Sequence, residues 1–241
     1  MDLSVVIPAY DESTKIARDV KAAAEFLRSN HLQGEIIVVD DGSTDRTNEV
    51  AQKVNVPPEA KLKVVRYEQH RGKGYAVRSG IAETSGKYVM FADSGLCVPY
   101  GNALLGLEML KDGSCDIAHG SRKLLESDVL QDQPWRRQVS SKLLKWLIKR
   151  VLQIPAELSD TQCGFKLYKG DVARELYSQC ISEGFMFDVE IILRAQKEGY
   201  RIKEFPIEWT CDLDSRLSLT RVPWPVFSEL RAIKRQLKIE S

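Results

Sequence analysis

Alternation of short Val- and Ile-rich runs with longer segments of helical period predicts a mostly parallel, doubly wound α/β sheet. Three runs carry the prediction: Leu3–Ile7, Glu35–Val39 and Lys87–Ala92. Each is a largely apolar stretch of the kind buried on both faces of a parallel sheet. Each also ends abruptly, in Pro8, Asp40 or Asp93, where the chain turns polar.

After the first strand, a helix is expected over roughly 14–29, because Ile16, Val20, Ala24 and Leu27 recur at spacings of three and four. Ser13 is placed to cap it. Strand 35–39 follows, then a short helix near 45–54. Ser43 or Thr44 is placed to cap that helix, and Asp45 to favour its first turn. The pattern continues with strand 62–66, helix 73–84, strand 87–92, helix 102–111 and a short strand near 115–118. The region around Phe205, Pro206 and Trp209 reads as a late strand from the core. There is no GxGxxG or Walker A pattern, and Lys73, although flanked by two glycines, lacks P-loop spacing.

The 241 residues fit one large domain over 1–241. The formal net charge of +1 gives no electrostatic case for nucleic acid. Five scattered cysteines without a CxxC pair suggest reduced structural thiols in a cytosolic setting. A strand at the very start predicts no leader. No apolar stretch approaches the roughly 20 residues of a membrane span, which predicts a soluble or peripheral protein.

Chemistry is concentrated at strand ends, where open α/β sheets bind ligands. Asp40 and Asp41 stand side by side at one such end. Adjacent carboxylates repel and need donors, which the N–H groups of a base or the hydroxyls of a ribose would supply. A helix start with spare acids is the plainer reading of that pair alone. It does not stand alone: Pro8-Ala9-Tyr10-x-Glu12, Asp40-Asp41-Gly42-Ser43-x-Asp45 and Gly72-Lys73-Gly74 follow in order.

These motifs resemble the nucleotide-sugar half of family 2 inverting glycosyltransferases, which have the GT-A fold, a Rossmann-like sheet. Asp160-Thr-Gln-Cys-Gly-Phe-Lys166 and Gly184-Phe-Met-Phe-Asp188-Val-Glu190 resemble the branch that makes dolichyl- or polyprenyl-phosphate glucose and mannose. The resemblance reaches to about Trp209. It implies a nucleotide-sugar-binding half over 1–120 and an acceptor and membrane-surface half over 121–241, with C-terminal amphipathic helices. It also implies that Pro8, Ala9, Tyr10 and Glu12 line the base and ribose pocket and that Asp40 reads the base. Asp41 either joins Asp40 or holds the loop, and Lys73, with Arg71, approaches the base or the phosphates.

Asp93 closes the strand where the family places its metal-binding acids. Relatives read Asp-x-Asp, whereas this chain reads Asp93-Ser94-Gly95. A Mg²⁺ or Mn²⁺ ion would retain Asp93, and Gln162 is the candidate to complete its shell. Neutralisation by Lys and Arg without a metal is the alternative.

Arg122 is the first candidate to bind an acceptor phosphate, with Arg136 and Arg137 behind it and Gln162 in the same loop region. For a hydroxyl acceptor, Asp160 would be the base; a lipid phosphate is already anionic and needs none. Asp160→Asn is therefore expected to be nearly silent in the second case. Lys166 reads as solvated, Arg78 either as functional or as a helix-surface charge, and His70 and His119 as loop structure. Asp188 is expected to support the acceptor loop, with Glu190 at a helix start. Residues 121–151 hold eight Lys/Arg against three acids. That segment (Lys142, Leu143, Leu144, Lys145, Trp146, Leu147) and the last one (Trp224, Val226, Leu230, Ile233, Leu237) read as basic amphipathic helices. They either lie on an anionic membrane or pack on the core.

The preferred expectation is transfer of a hexose from UDP-glucose or GDP-mannose to polyprenyl or dolichyl phosphate by a cytoplasmic enzyme, peripheral on the cytosolic face of a membrane. The alternatives are a hydroxyl-acceptor glycosyltransferase and a catalytically silent nucleotide-sugar-binding module.

Overall fold

The computed structural model describes residues 1–130, 157–210 and 223–237, with side chains of the last segment from 228 onward. The elements are β1 (Leu3–Ala9), α1 (Ile16–Ser29), β2 (Gly34–Asp41), α2 (Thr47–Gln52), β3 (Ala60–Tyr67), α3 (Lys73–Ala82), β4 (Tyr88–Ala92), α4 (Ala103–Lys111) and β5 (Ile117–Ser121). They continue with β6 (Asp128–Val129), β7 (Phe165–Lys169), α5 (Gly170–Ser178), α6 (Phe187–Lys197), β8 (Ile202–Pro206), β9 (Glu208–Trp209) and α7 (Pro223–Leu237).

Seven strands form one sheet in the order β3-β2-β1-β4-β7-β5-β8. Strand β1 pairs in parallel with β2 on one side and β4 on the other, so chain order reverses beside β1. That reversal is the topological switch point at which such sheets open a crevice. Strand β7 runs antiparallel to both β4 and β5, carrying the second half of the chain into the same sheet.

Alternation along the strands divides the core in two, as a period of two requires. Val5, Ile7, Ile36, Val38 and Met90 face one layer with Ile16, Val20 and Leu27 of α1. Val6, Ile37, Val39, Val89 and Phe91 face the other, with Val77 and Ile81 of α3 and Phe187 and Ile191 of α6. A third cluster joins Leu230, Ile233 and Leu237 of α7 to Met186, Val189, Ile192 and Leu193. Those three side chains of α7 are buried, and Ser228, Arg231, Arg235 and Gln236 are exposed. Of the two readings of that helix face, packing on the core holds for these three residues. Residues 142–151, Arg136, Arg137, Asp214–Arg216, Lys238 and Cys211 lie outside the described residues, as do the side chains of Trp224 and Val226.

Two expected caps are also corrected. Ser13 does not cap α1: its N–H donates to Asp45 Oδ2 at 3.1 Å, and no side chain caps that helix. Neither Ser43 nor Thr44 caps α2; Asp45 instead accepts the Thr47 N–H at 2.9 Å. Four cysteines, Cys97, Cys115, Cys163 and Cys180, are free thiols. Among the described residues no helix is long and apolar enough to cross a membrane.

Candidate active site

The loops after β1 and β2 are laced together. Asp11, at φ +51°, turns its N–H to Ser43 Oγ at 2.8 Å, while its Oδ1 accepts the Thr44 N–H at 2.7 Å. Glu12 N–H donates to Thr47 Oγ1 at 2.7 Å. Asp45 receives the Ser13 and Thr47 bonds. Burial raises its pKa, but those hydrogen bonds outweigh it and hold the carboxyl down to about 2. Pro8 and Ala9 end β1 at this rim, and Tyr10 lies against His70, ring centroids 4.1 Å apart at 32°.

The adjacent aspartates do different work. Asp41 is saturated: Oδ1 accepts the Arg71 N–H and Oδ2 the Gly72 N–H, both at 2.8 Å, with His70 Nδ1 2.9 Å from Oδ2. It holds the loop that opens α3. Asp40 is fully buried. Its Oδ1 accepts the Ser43 N–H at 2.9 Å, but its Oδ2 makes no hydrogen bond, and Arg66 Nη1 stands 3.6 Å away. That oxygen is enclosed, with the Arg66 guanidinium as its charged neighbour.

Lys73 begins α3, and its Nζ lies 2.6 Å from Asp93 Oδ1 at the end of β4. Burial depresses the ammonium's pKa, but Asp93 and Asp188 outweigh that and hold it above its ordinary value. Beneath them Lys166, 1% exposed, pairs with Asp188 and donates to the Cys163 carbonyl at 2.7 Å. The expectation of a solvated Lys166 is therefore wrong. Alternation in β7 turns it into the protein, where Asp188 compensates the charge. Burial raises the Asp188 pKa, and the two lysines oppose that rise. The Phe91 ring centroid is 5.7 Å from Lys73 Nζ and 5.3 Å from Lys166 Nζ.

The 160–164 loop closes on the same spot. Asp93 N–H donates to the Gly164 carbonyl at 2.9 Å. A Cβ on residue 164 would lie 2.0 Å from Asp93 Oδ2, so only glycine permits this approach. Four residues earlier, buried Asp160 grips Arg122 with both oxygens: Nε to Oδ2 at 2.5 Å and Nη2 to Oδ1 at 2.7 Å. Glu204 on β8 fixes the loop by accepting the Asp160 N–H at 2.7 Å and the Ser159 N–H at 2.9 Å. Gln162 lies in this loop, half-buried.

Other singled-out residues make contacts within the protein. Arg71 pairs with Glu183, its guanidinium 3.6 Å from the Tyr75 ring centroid. Arg78 bonds the Cys180 carbonyl and stands 3.7 Å from Glu183, so it is not a plain surface charge. Glu190 accepts the Ile181 and Ser182 N–H groups at 3.0 and 2.8 Å. His119 is a buried strand residue of β5 with both ring nitrogens unbonded, not a loop residue. Burial, reinforced by Lys166, keeps its pKa well below the usual range. Two residues the sequence did not single out hold the site loops: Glu204, and Glu229 on α7, which accepts the Gly184 N–H at 3.0 Å.

A divalent ion gathers several oxygens. Here Asp93 offers one carboxylate with an ammonium upon it, and residue 95 has no side chain. Among the described residues no group of three or more His, Cys, Asp or Glu is arranged to hold a metal ion. The described donors do not make a two-carboxylate metal centre.

The sheet order and the acidic strand ends facing a Gly-Lys-Gly helix start define the GT-A class of glycosyltransferases. The chain belongs to glycosyl transferase family 2, whose family model matches residues 4–177. Glycosyltransferase AglD of Haloferax volcanii is 29% identical over 223 residues, 92% of this chain and 35% of its own. Dolichyl-phosphate beta-glucosyltransferase of Saccharomyces cerevisiae is 32% identical over 225 residues, 86% of this chain and 66% of its own. The chain thus spans less than two thirds of the length of either. Among solved structures, Mycobacterium tuberculosis glucosyl-3-phosphoglycerate synthase, in complex with Mn²⁺, UDP and glucosyl-3-phosphoglycerate, has the same fold. It aligns with a TM-score of 0.67 at 19% identity, covering 100% of this chain and 81% of that one.

Proposed function

We propose that this chain transfers glucose from UDP-glucose to a dolichyl-type polyprenyl phosphate, with inversion, at the cytosolic surface of a membrane. The observation that carries the acceptor assignment is the Asp160–Arg122 pair. Both Asp160 oxygens are engaged by the guanidinium, so neither is turned to take a proton from a hydroxyl. A phosphate monoester needs no base. Asp160 instead orients Arg122, whose remaining N–H donors suit an anionic acceptor. The names of the yeast and human relatives, the latter 31% identical over 226 residues and covered over 67% of its length, support dolichyl phosphate and glucose.

In this reading Asp40 accepts a base N–H, and Tyr10, Pro8, Ala9 and Glu12 wall the base and ribose. The donor's diphosphate lies over Lys73 and Asp93. An acceptor phosphate oxygen attacks the anomeric carbon from the face opposite the diphosphate. The C–O bond to the β-phosphate breaks, and its electron pair stays on the departing oxygen, against positive charge. Gln162 and the 160–164 loop border the acceptor.

The test offers the full chain UDP-glucose and GDP-mannose, each labelled in the sugar, with and without polyprenyl phosphate in detergent. Label from UDP-glucose reaching the organic phase only when the lipid phosphate is present is the expected result. Label appearing on added sugars instead would replace this reading with a hydroxyl-acceptor enzyme.

A further inference from the structure

Residue 95, two along from Asp93, is a glycine, and its backbone conformation disfavours any residue with a side chain. Its φ is +99°, a conformation closed to residues with a Cβ except under strain. Two contacts from α1 hold the turn: the Gly95 N–H donates to buried Asp19 Oδ2 at 2.7 Å, and the Gly95 carbonyl accepts from Arg18 Nη2 at 3.0 Å. Leu96 follows at φ +51°. The turn after β4 therefore offers no second carboxylate at residue 95.

The surviving acid carries a cation of the protein's own. Lys73 Nζ lies 2.6 Å from Asp93 Oδ1, at the place where α3 starts and β4 ends. Deeper in, Asp188 already has Lys166, so it does not hold Lys73 away from the rim. The ring centroids of Phe91 and Phe187 stand 5.7 and 6.0 Å from Lys73 Nζ. A preorganised ammonium beside a strand-end crevice is what a departing diphosphate needs.

We propose that Lys73 binds and neutralises the donor diphosphate directly, moving from Asp93 onto phosphate oxygens, and that no divalent cation takes part. The inference rests on the nucleotide-sugar reading above. No proton moves: Lys73 stays an ammonium throughout, and the electron pair of the broken C–O bond remains on the β-phosphate.

The test is binding, not turnover. UDP and GDP are titrated calorimetrically into the full chain in EDTA and in Mn²⁺, and Mn²⁺ occupancy is followed by electron paramagnetic resonance with and without nucleotide. The expected result is UDP affinity equal within about twofold in the two buffers, with no protein-bound Mn²⁺ signal. Lys73→Gln should weaken UDP by at least about tenfold while leaving uridine affinity unchanged. If that variant fails to fold, the chelator and resonance measurements on the unaltered chain decide. UDP affinity that collapses in EDTA and returns with bound Mn²⁺ overturns the proposal, as does a folded Lys73→Gln that binds UDP normally. Binding of neither UDP nor GDP in either buffer removes the nucleotide-sugar reading, and this inference with it.

Discussion

Asp160 holds Arg122 in a two-point grip, with Nε–Oδ2 at 2.5 Å and Nη2–Oδ1 at 2.7 Å, across 38 residues of sequence. The carboxylate is 1% exposed, so its alignment is set by the loop that Glu204 anchors.

Arg122→Ala should therefore abolish the acceptor's contact, lowering turnover on polyprenyl phosphate by roughly 100-fold or more, while Arg122→Lys keeps the charge but loses the fork. Asp160→Asn is no longer expected to be silent. It should lower the rate about tenfold by loosening Arg122, as judged against the loss for removing a single oriented donor, and it should lower stability as well. The discriminating readout is the pH profile of kcat/KM. A positioning role leaves no acid limb to be lost in the variant, whereas a catalytic base shows one in the unaltered enzyme that vanishes in Asp160→Asn.

Asp45 makes stability depend on acid. Its carboxyl lies near 2 in the folded chain against an ordinary 3.8. A depressed folded value stabilises above the unfolded pKa, and that contribution is lost as pH falls from about 4 towards 2. Allowing for partial exposure, it amounts to about 1–2 kcal/mol. Urea unfolding of the unaltered chain and Asp45→Asn should differ by that amount at pH 6 and converge near pH 2. A difference that persists undiminished at the acid end would assign the effect to packing.

The strands were legible because a Val/Ile run needs only its own composition to declare itself: Val5-Val6-Ile7 and Ile36-Ile37-Val38-Val39 are buried throughout. Helix α1 was equally plain from its spacing. What escaped depends on partners far away in the chain. Asp11 claims the Ser43 and Thr44 groups that a local reading assigns to a cap, over separations of 32 and 33 residues. Glu229 reaches Gly184 across 45, and no local pattern announces that. Lys166 carried one usable signal, a single cation inside the apolar run Phe165–Tyr168, which a central strand can bury only with a counter-charge. Of the two roles the sequence left open for Asp41, joining Asp40 or holding the loop, its bonds to the Arg71 and Gly72 N–H groups show the second.

That buried cation is the next test. Lys166→Met removes the direct partner of buried Asp188, leaving only the charge of Lys73, and should cost about 3–5 kcal/mol, a fall in Tm of roughly 10 °C for a chain of this size. The double variant Lys166→Met with Asp188→Leu removes both charges and should recover most of that loss. Thermal melts of the three proteins decide. A single variant as stable as the parent would show that Asp188 is satisfied without Lys166.

Neighbouring Asp40 and Asp41 offer the sharpest contrast, since identical chemistry is put to opposite uses one residue apart. Asp41→Asn replaces an acceptor of two backbone N–H groups by one that can accept on one side only. The loop at Arg71 and Gly72 should loosen, lowering Tm by several degrees for about 1–3 kcal/mol and displacing Lys73 with it. Asp40→Asn keeps an acceptor for Ser43 but turns the other oxygen into either an amide donor or a neutral acceptor. Its stability should change little, while donor affinity falls about tenfold or more because a base N–H loses its charged partner. Calorimetric UDP titration and thermal melts, run on both variants, should place Asp40 in the affinity column and Asp41 in the stability column. If instead Asp41→Asn weakens UDP at unchanged Tm, then Asp41 reads the base, and its bonds to Arg71 and Gly72 open when the nucleotide arrives.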